Sequence, residues 1–214
     1  MADLNFQARY ALQDTVLSLI FAEESVFYLT GGTCLHRFYF GKRYSDDLDF
    51  FTGANNLFRD EVRVLLDRFR SESLEFHILA DTRDFVRLTV HNSLRIDLVN
   101  DRVFRYGKNV LHAQKFHLDN LENIAANKIC ALFGRDDPKD VFDIVTICSS
   151  QRVDWEIVLA AASKKCVFDG ELLEFRLRSF PLELLDLLNV PDSEVLPAIK
   201  AAYPSMLEHI CTRV

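Results

Sequence analysis

No proline occurs before residue 138. All five (Pro138, Pro181, Pro191, Pro197 and Pro204) fall late, whereas the strand-like runs lie before residue 105, so the 214-residue chain divides by structural type. The five cysteines (Cys34, Cys130, Cys148, Cys166 and Cys211) are odd in number, widely spread and without CxxC or another metal-ligand spacing; buried free thiols in a reducing compartment are expected. Neither HxxxH nor HxH occurs among the six histidines, and no serine or cysteine sits in a nucleophile motif, which argues against covalent catalysis. The N-terminal stretch carries neither a basic leader nor a long apolar run, so a cytoplasmic protein without a membrane partner is expected. Positive charge is in deficit as well: 25 basic against 32 acidic residues leave −7, which excludes a surface that is all nucleic-acid footprint and permits only a local basic patch. Repeats, low-complexity tracts and long linkers are absent, and 49% apolar content is that of an ordinary globular chain.

What is present reads as an α+β chain. Apolar positions Phe6, Tyr10, Leu17, Ile20 and Phe21 recur at near-helical spacing, and VFYLT (26–30) reads as a short buried strand ending in Gly31-Gly32. A short helix is expected over 33–40 and a second strand at DLDFF (47–51), followed by a charged amphipathic helix over 56–70. LEFHILA (74–80), DFVRLTVHN (84–92) and SLRIDLVN (93–100) read as further strands, with a tight turn near Asn92-Ser93. From about 118 the pattern is helical, beginning at an expected N-cap, Asp119, and restarting at Asp137-Pro138. Further helices are expected over 154–166, 170–189 and 192–212. The expected organisation is an α/β domain over 1–117 and a helical domain over 118–214 packed against it.

The chemistry concentrates in YLTGGTCLHRFYFGKRYSDDLDFF. Glycines let backbone approach a ligand closely, and a helix starting at Thr33 offers N–H groups and a hydroxyl to phosphate oxygens. Alternation sets Leu48 and Phe50 on one face of the second strand and Asp47 and Asp49 on the other, two hard oxygen ligands suited to Mg²⁺. In SLRIDLVN the same alternation turns Asp97 away from Leu94, Ile96 and Leu98, so a third acid joins the pair if the two strands are neighbours. Asp46 turns away and reads as a solvated loop residue. A lone diglycine is usually a turn and strand acids are usually solvated; their order and spacing here favour a site. Asp-x-Asp also begins haloacid dehalogenase-type phosphatases, but there the first Asp ends a buried strand, whereas Asp47 follows the polar KRYS.

At these residues the sequence resembles the DNA polymerase beta-like nucleotidyltransferase superfamily, and its GGTxL…RxSxDLDFF form resembles the AbiEii/AbiGii-type nucleotidyltransferase toxins. Gly31, Gly32, Thr33, Leu35, Arg43, Ser45, Asp47, Leu48, Asp49 and Phe50 carry the match. Lys128, Arg135, Asp140 and Asp143 fit that family's helical part, so the resemblance spans roughly 26–147. It implies a nucleotidyltransferase fold, a mixed or antiparallel sheet flanked by helices and followed by a C-terminal helical region. It also implies transfer of NMP from an NTP to an acceptor such as the tRNA 3′ end or another RNA, with two Mg²⁺ ions (Mn²⁺ as an alternative), and a toxin with a cognate antitoxin. In that scheme Asp47, Asp49 and Asp97 are the catalytic metal ligands, and Gly31, Gly32, Thr33, Arg43, Ser45, Lys128 and Arg135 bind the nucleotide.

The helical residues also have readings of their own. Lys128 lies on the apolar stripe of Leu121, Ile124, Ala125 and Leu132, where it either points at phosphate or lets its stem snorkel. Arg135 lies on about the same face. Asp140 sits at N3 of its helix, where a carboxylate is favoured by unpaired N–H groups, and Asp143 is placed to pair with Arg135; a supporting role is expected for both. The basic runs Arg59/Arg63/Arg68/Arg70 and Arg102/Arg105/Lys108/Lys115 are either an RNA-binding rim or plain solvated charge. A regulatory member that binds a nucleotide or partner without transferring is the competing class.

Overall fold

The computed structural model describes residues 2–213, with side chains from residue 6. Its elements, in order, are α1 (Ala2–Ile20), β1 (Tyr28–Thr30), α2 (Gly31–Cys34) running on as a wider π-helical stretch (Leu35–Phe40), β2 (Leu48–Gly53), α3 (Phe58–Ser71), β3 (Phe76–Asp81), β4 (Phe85–Val90), β5 (Leu94–Asp101), β6 (Val110–Leu111), β7 (His117–Leu118), α4 (Leu121–Leu132), α5 (Pro138–Ser150), α6 (Trp155–Ser163), α7 (Gly170–Ser179), a 3₁₀ turn (Leu182–Leu187) and α8 (Val195–Cys211). They form two compact units: Met1–Cys34 with Ser45–Val103 and Asn109–Asp119, and Leu35–Tyr44 with Phe104–Lys108 and Asn120–Val214.

The first unit is built on a seven-stranded mixed sheet of order β3-β4-β5-β2-β1-β7-β6. β2 lies parallel to β5 and β1 parallel to β7, while the other neighbours are antiparallel. One face is apolar: Leu48, Phe50, Val86, Leu88, Ile96 and Leu98 are fully buried. α3 adds Phe58, Val62, Leu65, Leu66 and Phe69 from one side while its arginines stay on the other. Burying each of these large apolar side chains contributes about 1.5–3 kcal/mol. The β4–β5 turn spans residues 91–93, near the expected Asn92-Ser93, with Val90 and Leu94 as register partners on either side and His91 and Asn92 at positive φ (46° and 52°). β3, at the sheet edge, shifts register between Ile78 and Ala80, which leaves Leu79 exposed and interrupts an edge that would otherwise offer a straight ladder. The short strands β6 and β7 carry no alternation long enough to be read in advance.

Helices form the second unit, packed around Phe142, Ile144, Trp155, Leu173, Leu177, Tyr203 and Ile210. Asp137 caps α5 through the Lys139 N–H with Pro138 at its first position, Asp154 caps α6 through the Glu156 N–H, and Asp169 caps α7 through the Leu172 N–H. The cap of α4 is Asn120, whose side chain accepts from the Asn123 N–H, rather than Asp119. Asp119 belongs to the sheet unit: its N–H donates to Leu29 O and its carboxylate accepts from Thr30 Oγ1 at 2.8 Å. The helix expected over 170–189 stops at Ser179, since Pro181 has no N–H to continue it, and a 3₁₀ turn follows. Among the described residues no helix is long and apolar enough to cross a membrane.

Candidate active site

On the polar face of the sheet, Asp49 and Asp97 are register partners in the adjacent parallel strands β2 and β5, and Thr30 of β1 lies across from Asp49 on its other side. The condition left open by the sequence, that these strands be neighbours, is met. Asp47 immediately precedes β2 and is held by its backbone, since its carbonyl accepts from Thr33 Oγ1. With its one proton given to that carbonyl, Thr33 Oγ1 accepts from the Ser45 hydroxyl at 2.7 Å, and Gln13 Nε2 donates to Ser45 O at 3.1 Å. Thr33 and Ser45 are thus buried fasteners of the loop that delivers Asp47. Asp46 is held by Arg9 at 2.8 Å and remains partly exposed.

Gly31 fits against this face. Its φ of +71° is a left-handed conformation that L side chains resist, and a Cβ built there would stand 2.5 Å from Asp49 Oδ2. Only glycine leaves room for the backbone to pass so close to that carboxylate.

Two arginines absent from the sequence reading complete the surface. Arg87, opposite Asp97 in β4, grips it with both ends: Nε to Oδ1 and Nη2 to Oδ2, each 2.7 Å. Its pKa is raised, first by that hydrogen bond against the opposing effect of burial, with the charges of Asp97, Asp49 and Asp47 adding to it. Arg95, half exposed, donates to Asp47 Oδ2 and approaches Asp97 at 4.0 Å. Period-2 alternation already puts Arg95 on the side of Asp97; Arg87 needed the β4–β5 register.

The donor set suits a hard divalent cation in kind: carboxylate oxygens on one face, with glycine leaving space beside one of them. As the side chains stand, Asp47 and Asp97 take their positive charge from Arg95 and Arg87, and among the described residues no three metal-ligating side chains are gathered around one point. A cation would have to displace or share those guanidinium contacts.

The remaining candidates form a buried charge network in the helical unit. Asp143 accepts from Arg43 through two bonds of 2.8 Å, from His36 Nε2 at 2.8 Å and from Lys128 Nζ at 2.7 Å. Lys128 also reaches Asp140 Oδ1 at 2.8 Å, and Arg135 pairs with Asp140 through bonds of 2.7 and 3.0 Å. Asp143 therefore pairs with Arg43 rather than with Arg135 as expected, because Arg135 is only five residues from Asp140 and folds back on it. Burial alone would raise the Asp143 pKa; the charges of Arg43 and Lys128, with His36, outweigh it and hold the carboxyl well below the usual range. Burial likewise pulls the Lys128 ammonium down, and Asp143 and Asp140 more than offset it, leaving its pKa raised. His36 is lowered by burial despite its bond to Asp143, and its Nδ1 has no hydrogen-bond partner among the described residues. The neutral Nε2–H tautomer accounts for both observations. No sequence motif marked His36. Arg43, buried at 4% exposure, has its guanidinium committed to Asp143 and not to an open surface.

The arginines of α3 are each paired with an acid: Arg59 with Asp81, Arg63 with Asp60, Arg68 with Glu23 and Arg70 with Asp67. Arg102 is paired with Asp84. This favours solvated charge over an RNA rim at those positions.

A mixed sheet whose adjacent strands β2 and β5 carry an acid each, beside a diglycine helix start, is the arrangement expected of a nucleotidyltransferase fold. The chain belongs to the family described as "Nucleotidyl transferase AbiEii toxin, Type IV TA system", whose model matches residues 17–211. Its fold is similar to that of JHP933 from Helicobacter pylori, with a TM-score of 0.59 and 18% identity over 98% of this chain and 94% of that one. It is also similar to MenT4, a nucleotidyltransferase toxin from Mycobacterium tuberculosis, with a TM-score of 0.59 and 14% identity over 95% of this chain and 82% of that one. Comparison with curated protein sequences gives no match.

Proposed function

We propose that this member of a nucleotidyltransferase toxin family transfers NMP from an NTP to the 3′ end of an RNA, tRNA being the leading acceptor, in the cytoplasm and under the control of a cognate antitoxin. The observation that carries the reading is the register pairing of Asp49 with Asp97, with Gly31 seated against the Asp49 carboxylate. Asp47, Asp49 and Asp97 would hold the divalent cations, two Mg²⁺ or Mn²⁺ ions, which when bound supply positive charge to the triphosphate and the reacting oxygens. The Gly31-Gly32 backbone brings the triphosphate against this face. The acceptor hydroxyl attacks the α-phosphorus in line, the bond to the bridging oxygen breaks, and pyrophosphate leaves. Asp97, oriented by Arg87, takes the hydroxyl proton, while Arg95 is placed to follow the developing negative charge. Thr33 and Ser45 act by fixing the Asp47 loop, and Arg43, Lys128, Asp140 and Asp143 by fixing the helical unit, rather than by touching phosphate.

Incubation of the protein with each radiolabelled NTP, Mg²⁺ and total cellular RNA tests this. A labelled RNA that is lost with Asp49→Asn is the expected result, and label entering protein instead would overturn the RNA acceptor.

One observation favours a binding-only member: Arg87 and Arg95 already neutralise Asp97 and Asp47. Calorimetry separates the two, since NTP affinity indifferent to Mg²⁺ belongs to the binding-only reading.

A further inference from the structure

Cys130 lies near the end of α4, and Cys166 lies in the turn that follows α6, the helix packed on α4. Their sulfurs donate to one and the same carbonyl oxygen, Ala162 O, each at 3.5 Å. Both are partly accessible, and Val167, next to Cys166, is 93% exposed. The other cysteines differ in setting. Cys34 is fully buried, its thiol pushed well up by burial and then by Asp119. Cys148 and Cys211 are each raised by burial. Two thiols each 3.5 Å from one oxygen lie no further apart than twice that distance, within the range from which side-chain rotation can close a bond of about 2.05 Å between sulfurs.

We propose that Cys130 and Cys166 form a modification site, a dithiol that reacts with a small-molecule disulfide of the glutathione type to give an intramolecular disulfide. Cys166, on the exposed turn, attacks first as the thiolate: its sulfur bonds to one sulfur of the reagent, the reagent's S–S bond breaks, and one small thiolate leaves. Cys130 then attacks the Cys166 sulfur, its proton passing to the second small thiolate as that group departs. In sum two protein thiols are oxidised and one small disulfide is reduced to two thiols. Burial and the neighbouring thiol push Cys130 up to about 12, so it rests protonated and suits the second, resolving position. The bond closes a loop containing α5, and so ties the helix bearing Lys128 to the rest of its unit around Asp140 and Asp143. Cross-linking a loop of this length disfavours the unfolded chain. The site is independent of the catalytic reading.

Treating the full chain with oxidised glutathione, followed by intact-mass measurement and a peptide map without reductant, tests it. The expected product has lost two hydrogens, joins the peptides of Cys130 and Cys166, melts at a higher temperature than the reduced chain, and reverts with dithiothreitol. Cys130→Ser should stop at one glutathione held on Cys166; Cys130→Ala serves the same purpose if the serine variant fails to fold. A cross-link through any other cysteine overturns the proposal, as does a stable mixed disulfide on the wild-type chain or no reaction.

Discussion

Gly31 couples an unusual backbone conformation to the position of the Asp49 carboxylate. Alanine there meets a left-handed φ, costing about 1–2 kcal/mol, and a carboxylate oxygen 2.5 Å from its methyl carbon. Because that oxygen is the far end of a side chain, Asp49 yields more readily than the backbone does. Gly31→Ala is therefore expected to lower the melting temperature modestly and to abolish most nucleotidyl transfer; wild-type transfer by a well-folded variant would show that Asp49 does not need its present position. At this scale the sequence was legible where the rule is local. Alternation alone put Asp49 and Asp97 on the faces they occupy, and Gly31 announced a close backbone approach. It was illegible where the partner is distant: nothing near Arg43 says that its guanidinium meets Asp143, one hundred residues on. Motif matching marked Arg43, Thr33 and Ser45 without separating contact with a ligand from support of the residues that make it.

Among elements, α4, α5 and the π-helical stretch are tied together by buried charge. Asp143 answers Arg43, Lys128 and His36 at once, so Asp143→Asn is expected to cost about 3–5 kcal/mol, measurable by urea denaturation, because it strands cations away from water. Arg43→Lys should recover little, as an ammonium cannot make the two-pronged contact. His36 supplies a pH dependence. Its folded pKa is lowered, so the unfolded chain takes up the proton first, and stability falls as pH drops below about 6.5 until the folded ring also protonates. Asp143, held low, adds a second loss at more acid pH, beginning near the unfolded value of about 3.9. His36→Gln should flatten the limb that begins below about pH 6.5 and leave the acid limb; an unchanged profile would place the titrating group elsewhere. The start at Asp137-Pro138 was readable from its cap, and the starts expected at 154 and 170 fall within a residue of Trp155 and Gly170, where Asp154 and Asp169 cap. Asp119 misled because its carboxylate serves Thr30 in the sheet, a contact between residues far apart in the chain.

For the whole molecule, the change from strands to helices was visible in the placement of proline and in the switch of apolar period. Sheet order was not, since the parallel neighbours β2–β5 and β1–β7 are set by long-range packing, and two-residue strands carry no periodicity. The adjacency of β2 and β5 is nevertheless the feature that sets Asp49 beside Asp97 and on which the proposed chemistry rests. The most direct measurement is the rate of Mg²⁺-dependent label transfer from NTP to RNA by Asp49→Asn and by Asp97→Asn beside the wild type, with melting temperatures taken in parallel. Both variants are expected to fold and to lose transfer by about 100-fold or more. Wild-type rates in either one would contradict an acid pair acting together across β2 and β5.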